Sequence, residues 1–185
     1  MRHIIYLPGL GDHYDPLRKL ALKRWRDKNT RVTLVPMHWS DKRETYEQKY
    51  QRVADVIEAT SGKNVTLVGE SAGGAMAMFV FSRHQTKIRR VVTICGYNHG
   101  AADIHRYHKY KHPAFYLLMP HVDEAVKNFS QEARSHITTI YSKKDRTVSP
   151  DHSQIKDARE IILRSSGHLG NIARALIKKL PINIA

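Results

Sequence analysis

Six short runs of aliphatic and β-branched residues recur along the chain, and they constrain its fold more than any other feature. Most of them end beside a proline or a glycine. Runs of this kind are typical of parallel strands that are buried on both faces. The runs cover residues 3–7, 31–35, 64–68, 90–95, 136–141 and 160–163.

Helical patterns lie between these runs. Apolar residues recur at helical spacing in residues 17–25, 46–57 and 169–180, and the last pattern stops at Pro181. Residues 72–83 are apolar on almost every side, so we expect that helix to be the most buried. The alternation of strands and helices predicts the α/β class, with an open parallel six-stranded sheet that is covered by helices on both faces.

The size and composition of the chain fit a single domain over residues 1–185. A length of 185 residues with 41% hydrophobic residues excludes disordered and repetitive classes. The mean hydropathy is −0.51, and no apolar run approaches the roughly 18 residues of a membrane span. The apolar stretch before Pro8 is too short for a secretory signal, and the single cysteine, Cys95, fits a reducing compartment. We therefore expect a cytoplasmic protein.

The charge balance is strongly basic, with 31 basic and 17 acidic residues and a net charge of +14. This charge permits contact with phosphates, with an anionic membrane or with an acidic protein partner. The basic residues are spread over most of the sequence and accompany no aromatic-spaced RNA motif. A solvated basic surface is therefore preferred over nucleic-acid binding.

Residues 69–73 read Gly-Glu-Ser-Ala-Gly and match the pattern G-x-S-x-G. The residues before this motif predict a strand and those after it predict a helix, which is the setting of a nucleophile elbow. A sharp turn there would project Ser71 beyond the sheet, and small residues at 69 and 73 would let strand and helix approach closely. We therefore expect Ser71 to be a nucleophile rather than an ordinary turn residue.

A serine nucleophile needs a base, and the base needs an acid that orients it. Asp145 and His168 each follow a predicted strand, the latter through a loop that contains Ser165 and Ser166. Because the carboxyl ends of parallel strands share one edge of a sheet, we expect Ser71, Asp145 and His168 to meet there. An ordinary turn at Asp145 and a plain helix start at His168 are the alternatives.

The loop after the first strand is rich in glycine, since residues 7–12 read Leu-Pro-Gly-Leu-Gly-Asp. Such a loop can turn backbone amides toward a pocket. We expect the amides of Leu10 and of Ala72, which follows the nucleophile, to form an oxyanion hole. Gly9 and Gly11 are expected to contact substrate. A simple strand-to-helix turn is the alternative.

Residues 97–130 contain no clear strand and leave from the end of the strand at 90–95. Long irregular segments are commonly lids, and ligands of open α/β sheets bind beyond the carboxyl ends of strands. We therefore predict a lid over a pocket, in which Phe115 and Leu118 line an acyl site. A seventh strand or a packed loop is an equally open interpretation of the apolar string at 115–119.

The same segment is rich in histidine. His105, His108 and His112 would share one face of a helix, with His99 and Asp103 nearby. No cysteine joins the group, and metal sites usually show a tighter spacing, so solvated lid histidines are preferred over metal ligands. We expect neither a metal nor a cofactor.

Taken together, four motifs resemble those of the α/β-hydrolases: P-G-L-G at 8–11, G-E-S-A-G at 69–73, D-R-T-V at 145–148 and G-H at 167–168. The likeness extends over nearly the whole chain and is greatest to the minimal serine hydrolases, such as small bacterial lipases and proteins similar to retinoblastoma-binding protein 9. It implies a sheet order of 2-1-3-4-5-6, without the first two strands of the full fold. The residues that it implies are Ser71 as nucleophile, Asp145 as acid, His168 as base, and the amides of Leu10 and Ala72 as the oxyanion hole.

These observations favour a serine hydrolase that cleaves carboxylic esters or thioesters through an acyl-enzyme. Its partner would then be a small-molecule ester or thioester. The alternative is a binding or scaffold protein of the same fold, with little turnover, that recognises an acidic partner.

Overall fold

The computed structural model describes residues 1–62, 64–164 and 167–183. Within these residues, neighbouring strands are all parallel and form one sheet in the order 2-1-3-4-5-6, which confirms the predicted fold class. The strands are β1 (Arg2–Leu7), β2 (Thr30–Leu34), β3 (Val65–Glu70), β4 (Ile88–Ile94), β5 (Ile137–Tyr141) and β6 (Arg159–Ile162).

Helices connect the strands and cover the sheet. Those of the described residues are α1 (Asp15–Lys23), α2 (Tyr46–Glu58), α3 (Ala72–Arg83), α4 (Tyr107–Lys111), α5 (Pro113–Asn128), α6 (Gln131–Ser135), α7 (Pro150–Ser153), α8 (His168–Ile177) and α9 (Leu180–Asn183).

The centre of the sheet leads directly into the predicted nucleophile. Strand β3 continues to Glu70, two positions beyond the predicted run at 64–68, so that Ser71 follows it without a linker. Every residue of β3 is buried, because β1 and β4 pair with it on either side and helices cover both faces. The next helix, α3, is buried from Ala72 to Phe81, as its apolar composition predicts.

Two apolar layers hold the helices on opposite faces of the sheet. One layer contains side chains of α2, α3 and α5, including Ile57, Met76 and Leu118. The other contains side chains of α1 and α8, including Leu22 and Leu176, and Trp25, which follows α1 by two residues. The Trp25 indole Nε1–H donates to the Leu176 carbonyl at 2.9 Å, which ties α1 to α8.

Residues 97–130 are helical rather than irregular. A short 3-10 helix at Ala101–Asp103 precedes α4 and α5. The apolar string at 115–119 belongs to α5, where Phe115, Leu118 and Val122 recur at helical spacing and are buried. Helix α5 packs against α3 in the core, so a seventh strand or a packed loop was the wrong interpretation of this string.

Some predictions concern residues outside the part of the chain that the structure describes. Ser165 and Ser166, through which we expected the sixth strand to lead to His168, lie outside the described residues, as do the last two residues of the predicted domain 1–185. Among the helices that are described, none combines the length and the apolar character that crossing a membrane requires.

Candidate active site

Ser71 occupies a strained turn between β3 and α3. Its φ of 49° and ψ of −122° lie in a region that residues with a side chain rarely adopt. Its N–H donates to the Ile94 carbonyl at 3.0 Å, and its own carbonyl accepts from the amides of Gly74 and Tyr97 at 2.9 Å each. These three hydrogen bonds fix the turn to the neighbouring strand end and to the first turn of α3.

Glycine is required on both sides of this turn because the chain approaches itself closely. A Cβ at Gly69 would lie 2.4 Å from the Gly73 carbonyl oxygen, and a Cβ at Gly73 would lie 2.1 Å from the Leu7 carbonyl oxygen. Neither distance is possible for a real side chain. The G-x-S-x-G pattern thus has a steric cause in this molecule.

The structure brings Ser71, His168 and Asp145 together at the carboxyl edge of the sheet. His168 opens α8, and its Nε2 lies 3.1 Å from the Ser71 Oγ. Its Nδ1 lies 2.8 Å from the Asp145 Oδ2. With the proton on Nδ1, the imidazole donates to Asp145 and accepts from the Ser71 hydroxyl. The geometry is that of a nucleophile, a base and an orienting acid.

The Asp145 carboxylate is held in its charged form. Burial alone would raise its pKa, but the hydrogen bond with His168 and those from the backbone amides of Thr147 and Val148 outweigh burial and lower the pKa below its usual value. These amides donate to the Asp145 Oδ1 at 2.9 and 3.2 Å. Asp145 can therefore orient the imidazole and stabilise an imidazolium without taking up a proton itself.

Cys95 lies beside this arrangement and is buried. Burial first, and then the nearby Asp145 carboxylate, raise the pKa of its thiol far above the ordinary value. One donor atom from each of Cys95, Asp145 and His168 lies within 4.8 Å of the others. The set is a poor fit to a metal ion. A cysteine binds a metal as the thiolate, whereas the raised pKa of Cys95 favours its neutral thiol. The carboxylate of Asp145 and the imidazole of His168 also already bind each other.

A cavity of about 200 Å³ opens beside Ser71. Leu10 and Ala72, whose amides we expected to form the oxyanion hole, both line it, and so does Phe115. Ala72 is the first residue of α3, where the backbone N–H has no partner within the helix. The remaining wall is formed by Tyr97, Asp103, Ile104, His105, His108, Thr147 and Val148.

Three residues that we expected to contact substrate do not line this cavity. The Leu118 side chain is fully buried in the core, because it lies on the face of α5 that packs against α3. The Gly9 amide and the Gly11 carbonyl are instead bonded to the buried ion-pair residues Glu70 and Arg18. The Gly9 amide donates to the Glu70 carboxylate at 3.3 Å, and the Gly11 carbonyl accepts from Arg18 at 2.9 Å.

A buried ion pair between Arg18 and Glu70 lies directly behind the nucleophile, and sequence reasoning missed it. The Arg18 Nε–H donates to Glu70 at 2.8 Å, and a second, shorter contact joins the same groups. Arg18 also donates to the Asp15 carboxylate at 2.8 Å, while the Tyr6 hydroxyl donates to Glu70. The signal in the sequence was that Arg18 occupies the same face of α1 as the buried Leu22.

This ion pair holds the glycine-rich loop against the elbow. Glu70 immediately precedes Ser71, and Arg18 reaches the carbonyls of Gly11 and, at 3.4 Å, Leu10. The loop that carries the Leu10 amide is therefore connected to the nucleophile turn through one guanidinium and one carboxylate.

The histidines of residues 97–112 are engaged within the protein. The His99 Nε2 contacts the Gln154 carbonyl at 3.0 Å, and the His105 Nδ1 accepts from the Tyr107 amide at 3.1 Å. The rings of His108 and His112 lie 5.5 Å apart, and burial lowers the pKa of both. His108 thus contributes an aromatic surface to the wall of the cavity, which His105 also lines.

Comparison with known proteins agrees with this architecture. A family model described as alpha/beta hydrolase fold matches residues 35–144. No curated protein matches the chain. Among solved structures, polyneuridine aldehyde esterase is similar at 15% identity, with a TM-score of 0.68 and coverage of 100% of this chain and 99% of the other.

Two bacterial structures are similar to the same degree. The ydeN gene product of B. subtilis matches at 14% identity and a TM-score of 0.66, with 97% of each chain covered. A lipase-esterase related protein from Clostridium acetobutylicum ATCC 824 matches at 17% identity and a TM-score of 0.65, with coverage of 99% of this chain and 93% of the other. At these identities the similarity concerns the fold.

Proposed function

We propose that this chain, which belongs to the alpha/beta hydrolase fold family, is a serine hydrolase that cleaves carboxylic esters or thioesters. The observation that carries the proposal is the unbroken hydrogen-bond path from the Ser71 hydroxyl through His168 to Asp145. Ser71, where this path begins, lines a cavity that Leu10 and Ala72 also line. Two of the similar solved structures, an esterase and a lipase-esterase related protein, agree with this class.

The proposed reaction begins with proton transfer from Ser71 to the Nε2 of His168. The Ser71 oxygen then forms a bond to the carbonyl carbon of the substrate, whose oxygen becomes negatively charged. The amides of Leu10 and Ala72 would donate to that oxygen, and each such donor contributes about 2.7–4 kcal/mol to transition-state stability. The positive end of the α3 dipole acts in the same direction.

Collapse of this intermediate breaks the bond to the leaving group. His168 gives its proton to the departing alcohol or thiol, and an acyl group remains on Ser71. A water molecule then transfers a proton to His168, attacks the acyl carbon, and releases the acid as Ser71 recovers its proton. Asp145 holds the imidazole in one tautomer throughout.

The cavity favours a short acyl group. Its volume of about 200 Å³ compares with about 30 Å³ for one water molecule, which is close to the size of a methylene group. At that size, about six or seven methylene groups fill it. Phe115 and Ile104 supply apolar surface there, and we propose that residues 97–112, which contribute five of the eleven lining residues, act as the cover over the substrate.

The decisive experiment is labelling of the active serine with a fluorophosphonate probe. Wild type should be labelled, Ser71→Ala should not, and the exposed-site control Ser135→Ala should be labelled like wild type. Hydrolysis of p-nitrophenyl acetate or butyrate should exceed that of the laurate. Folded wild type that resists the probe would contradict the proposal and favour the alternative, a scaffold of this fold that recognises an acidic partner.

A further inference from the structure

A second surface, away from the Ser71 cavity, exposes large aliphatic side chains in a cluster. Leu17 and Leu20 of α1 are 65% and 61% exposed, and Leu169 and Ile177 of α8 are 59% and 60% exposed. Single exposed leucines are ordinary, but a contiguous group marks an interaction site. We call this group the α1–α8 face: Leu17, Leu20, Ala21, Leu169, Ala173 and Ile177.

The members of this face meet in two adjoining depressions. One, of about 310 Å³, lies between the helices and is lined by Leu17, Leu169 and Ile177 among others. The other, of about 460 Å³, is lined by Leu20 together with Lys23 and other residues, and shares Leu17, Ala21 and Ile177 with the first. Because the Trp25–Leu176 hydrogen bond fixes α1 to α8, the face is formed before any partner arrives.

The exposed charges on this face all have one sign, while Glu70, which lines the depression between the helices, is buried and paired with Arg18. Residues 16–26 and 167–183 contain neither aspartate nor glutamate. The nearest acid on α1, Asp15, is buried and paired with Arg18. Lys23 and Arg24 are exposed and line the second depression together with Leu17 and Leu20. The face therefore combines aliphatic side chains with flexible cations, on a chain whose net charge is +14.

Leu117, an exposed leucine on another helix, lacks this uniform charge. Leu117 on α5 is 57% exposed, but that helix also carries Asp123 and Glu124. A second copy of the chain is a poor occupant of the α1–α8 face, since a symmetric contact would bring Lys23 and Arg24 of one copy close to the same residues of the other. Protein-binding sites also rely mainly on tryptophan, tyrosine and arginine, and leucine is under-represented at their energetic centres.

We propose that the α1–α8 face binds the surface of an anionic lipid bilayer. Leu17, Leu20, Leu169 and Ile177 enter the boundary between headgroups and acyl chains, while Lys23 and Arg24 extend to the headgroups. Since His168 opens α8 immediately before Leu169, this attachment places the candidate active site close to the membrane surface. The attachment itself does not depend on the proposed hydrolase activity.

The test is co-sedimentation of the full chain with vesicles of phosphatidylcholine, with and without phosphatidylserine, at low and at high salt. Wild type should sediment with vesicles only when phosphatidylserine is present, and high salt should release it. Leu17→Ser and Leu20→Ser should each lower the partition coefficient about tenfold. Lys23→Glu should lower it about fivefold or more.

Matched variants separate this proposal from its competitors. Leu117→Ser should bind vesicles like wild type, and Ser71→Ala should bind them undiminished although it is inactive. All the leucines concerned are exposed, so the thermal unfolding temperature of each variant should equal that of wild type. Lack of phosphatidylserine-dependent binding, or equal loss in Leu17→Ser and Leu117→Ser, would overturn the proposal. Self-association that Leu20→Ser abolishes would assign the face to a second copy instead.

Discussion

Two buried carboxylates flank the nucleophile turn, and they differ in the partner that neutralises them. The side chains of Asp145 and Glu70 are each 2% exposed, so burial does not distinguish them. Asp145 pairs with His168, an imidazole whose two ring nitrogens can each donate or accept a hydrogen bond. Glu70 pairs with Arg18, whose guanidinium keeps its charge at any pH that proteins experience.

The partner decides what each pair can do. The imidazole of His168 uses its second nitrogen to contact the Ser71 hydroxyl, so a proton can pass along that side. The guanidinium of Arg18 instead also donates hydrogen bonds to the Gly11 carbonyl and to the Asp15 carboxylate. One pair is suited to chemistry and the other to fixing a loop. Variants of the two pairs should therefore affect different measurements.

The largest effect is expected on the side of His168. Ser71→Ala and His168→Ala should each lower kcat for p-nitrophenyl acetate by about 10⁶-fold, because members of such a set act as a unit. Urea unfolding should show that both variants keep their stability. Near wild-type turnover of His168→Ala would mean that another residue is the base.

Asp145→Asn should lower kcat by about 10⁴-fold, because an amide cannot hold the imidazole in the tautomer that accepts the serine proton. Steady-state kinetics at neutral pH measures this loss. The exposed Asp151→Asn serves as the matched control and should behave like wild type. An equal loss in both variants would point to a general effect of charge.

Breaking the second pair should chiefly change stability. Arg18→Met leaves the Glu70 charge buried without its partner, which costs about 3–5 kcal/mol in the free energy of unfolding. Urea denaturation measures the cost, and the exposed neighbour Lys19→Met provides the control. Adding Glu70→Gln to Arg18→Met should restore part of the stability. If the double variant were no more stable than Arg18→Met, the ion pair would not be the reason.

The smallest effect concerns pH. The pKa of Asp145 is lower in the folded chain than its unfolded value of about 3.9. Its contribution to stability is thus fully present above that value and disappears as the pH falls through the lower folded pKa. The stability difference between wild type and Asp145→Asn should shrink on acidification below about pH 4. Urea unfolding over a pH series would show it, and a constant difference would contradict it.

The sequence predicted the sheet well because its signals are local. Each strand run is short and apolar, and each ends near a residue that stops it, so errors were limited to a few terminal residues such as Gly69 and Glu70. The strand order came from the resemblance to a family rather than from the runs themselves. The convergence of Ser71, Asp145 and His168 followed from parallel topology alone.

Other features depend on distant partners and could not be predicted in this way. Arg18 and Glu70 are 52 positions apart in the sequence. Arginine and glutamate are usually exposed, so neither residue type predicts a buried ion pair. The string at 115–119 was ambiguous, because five consecutive apolar residues fit a strand as well as a buried helix. Only its packing against α3 decides for the helix. The place of Leu118 in the core follows from that same packing.

The contact between Trp25 and Leu176 has a consequence for the newly made chain. The two residues are 151 positions apart, so at about 5–20 residues per second the ribosome adds the second about 8–30 s after the first. Until then the side of the sheet that carries Tyr6 and Val92 lacks its C-terminal cover. The time for which this apolar side stays uncovered during synthesis is therefore set by translation speed, and slow codons late in the message would lengthen it.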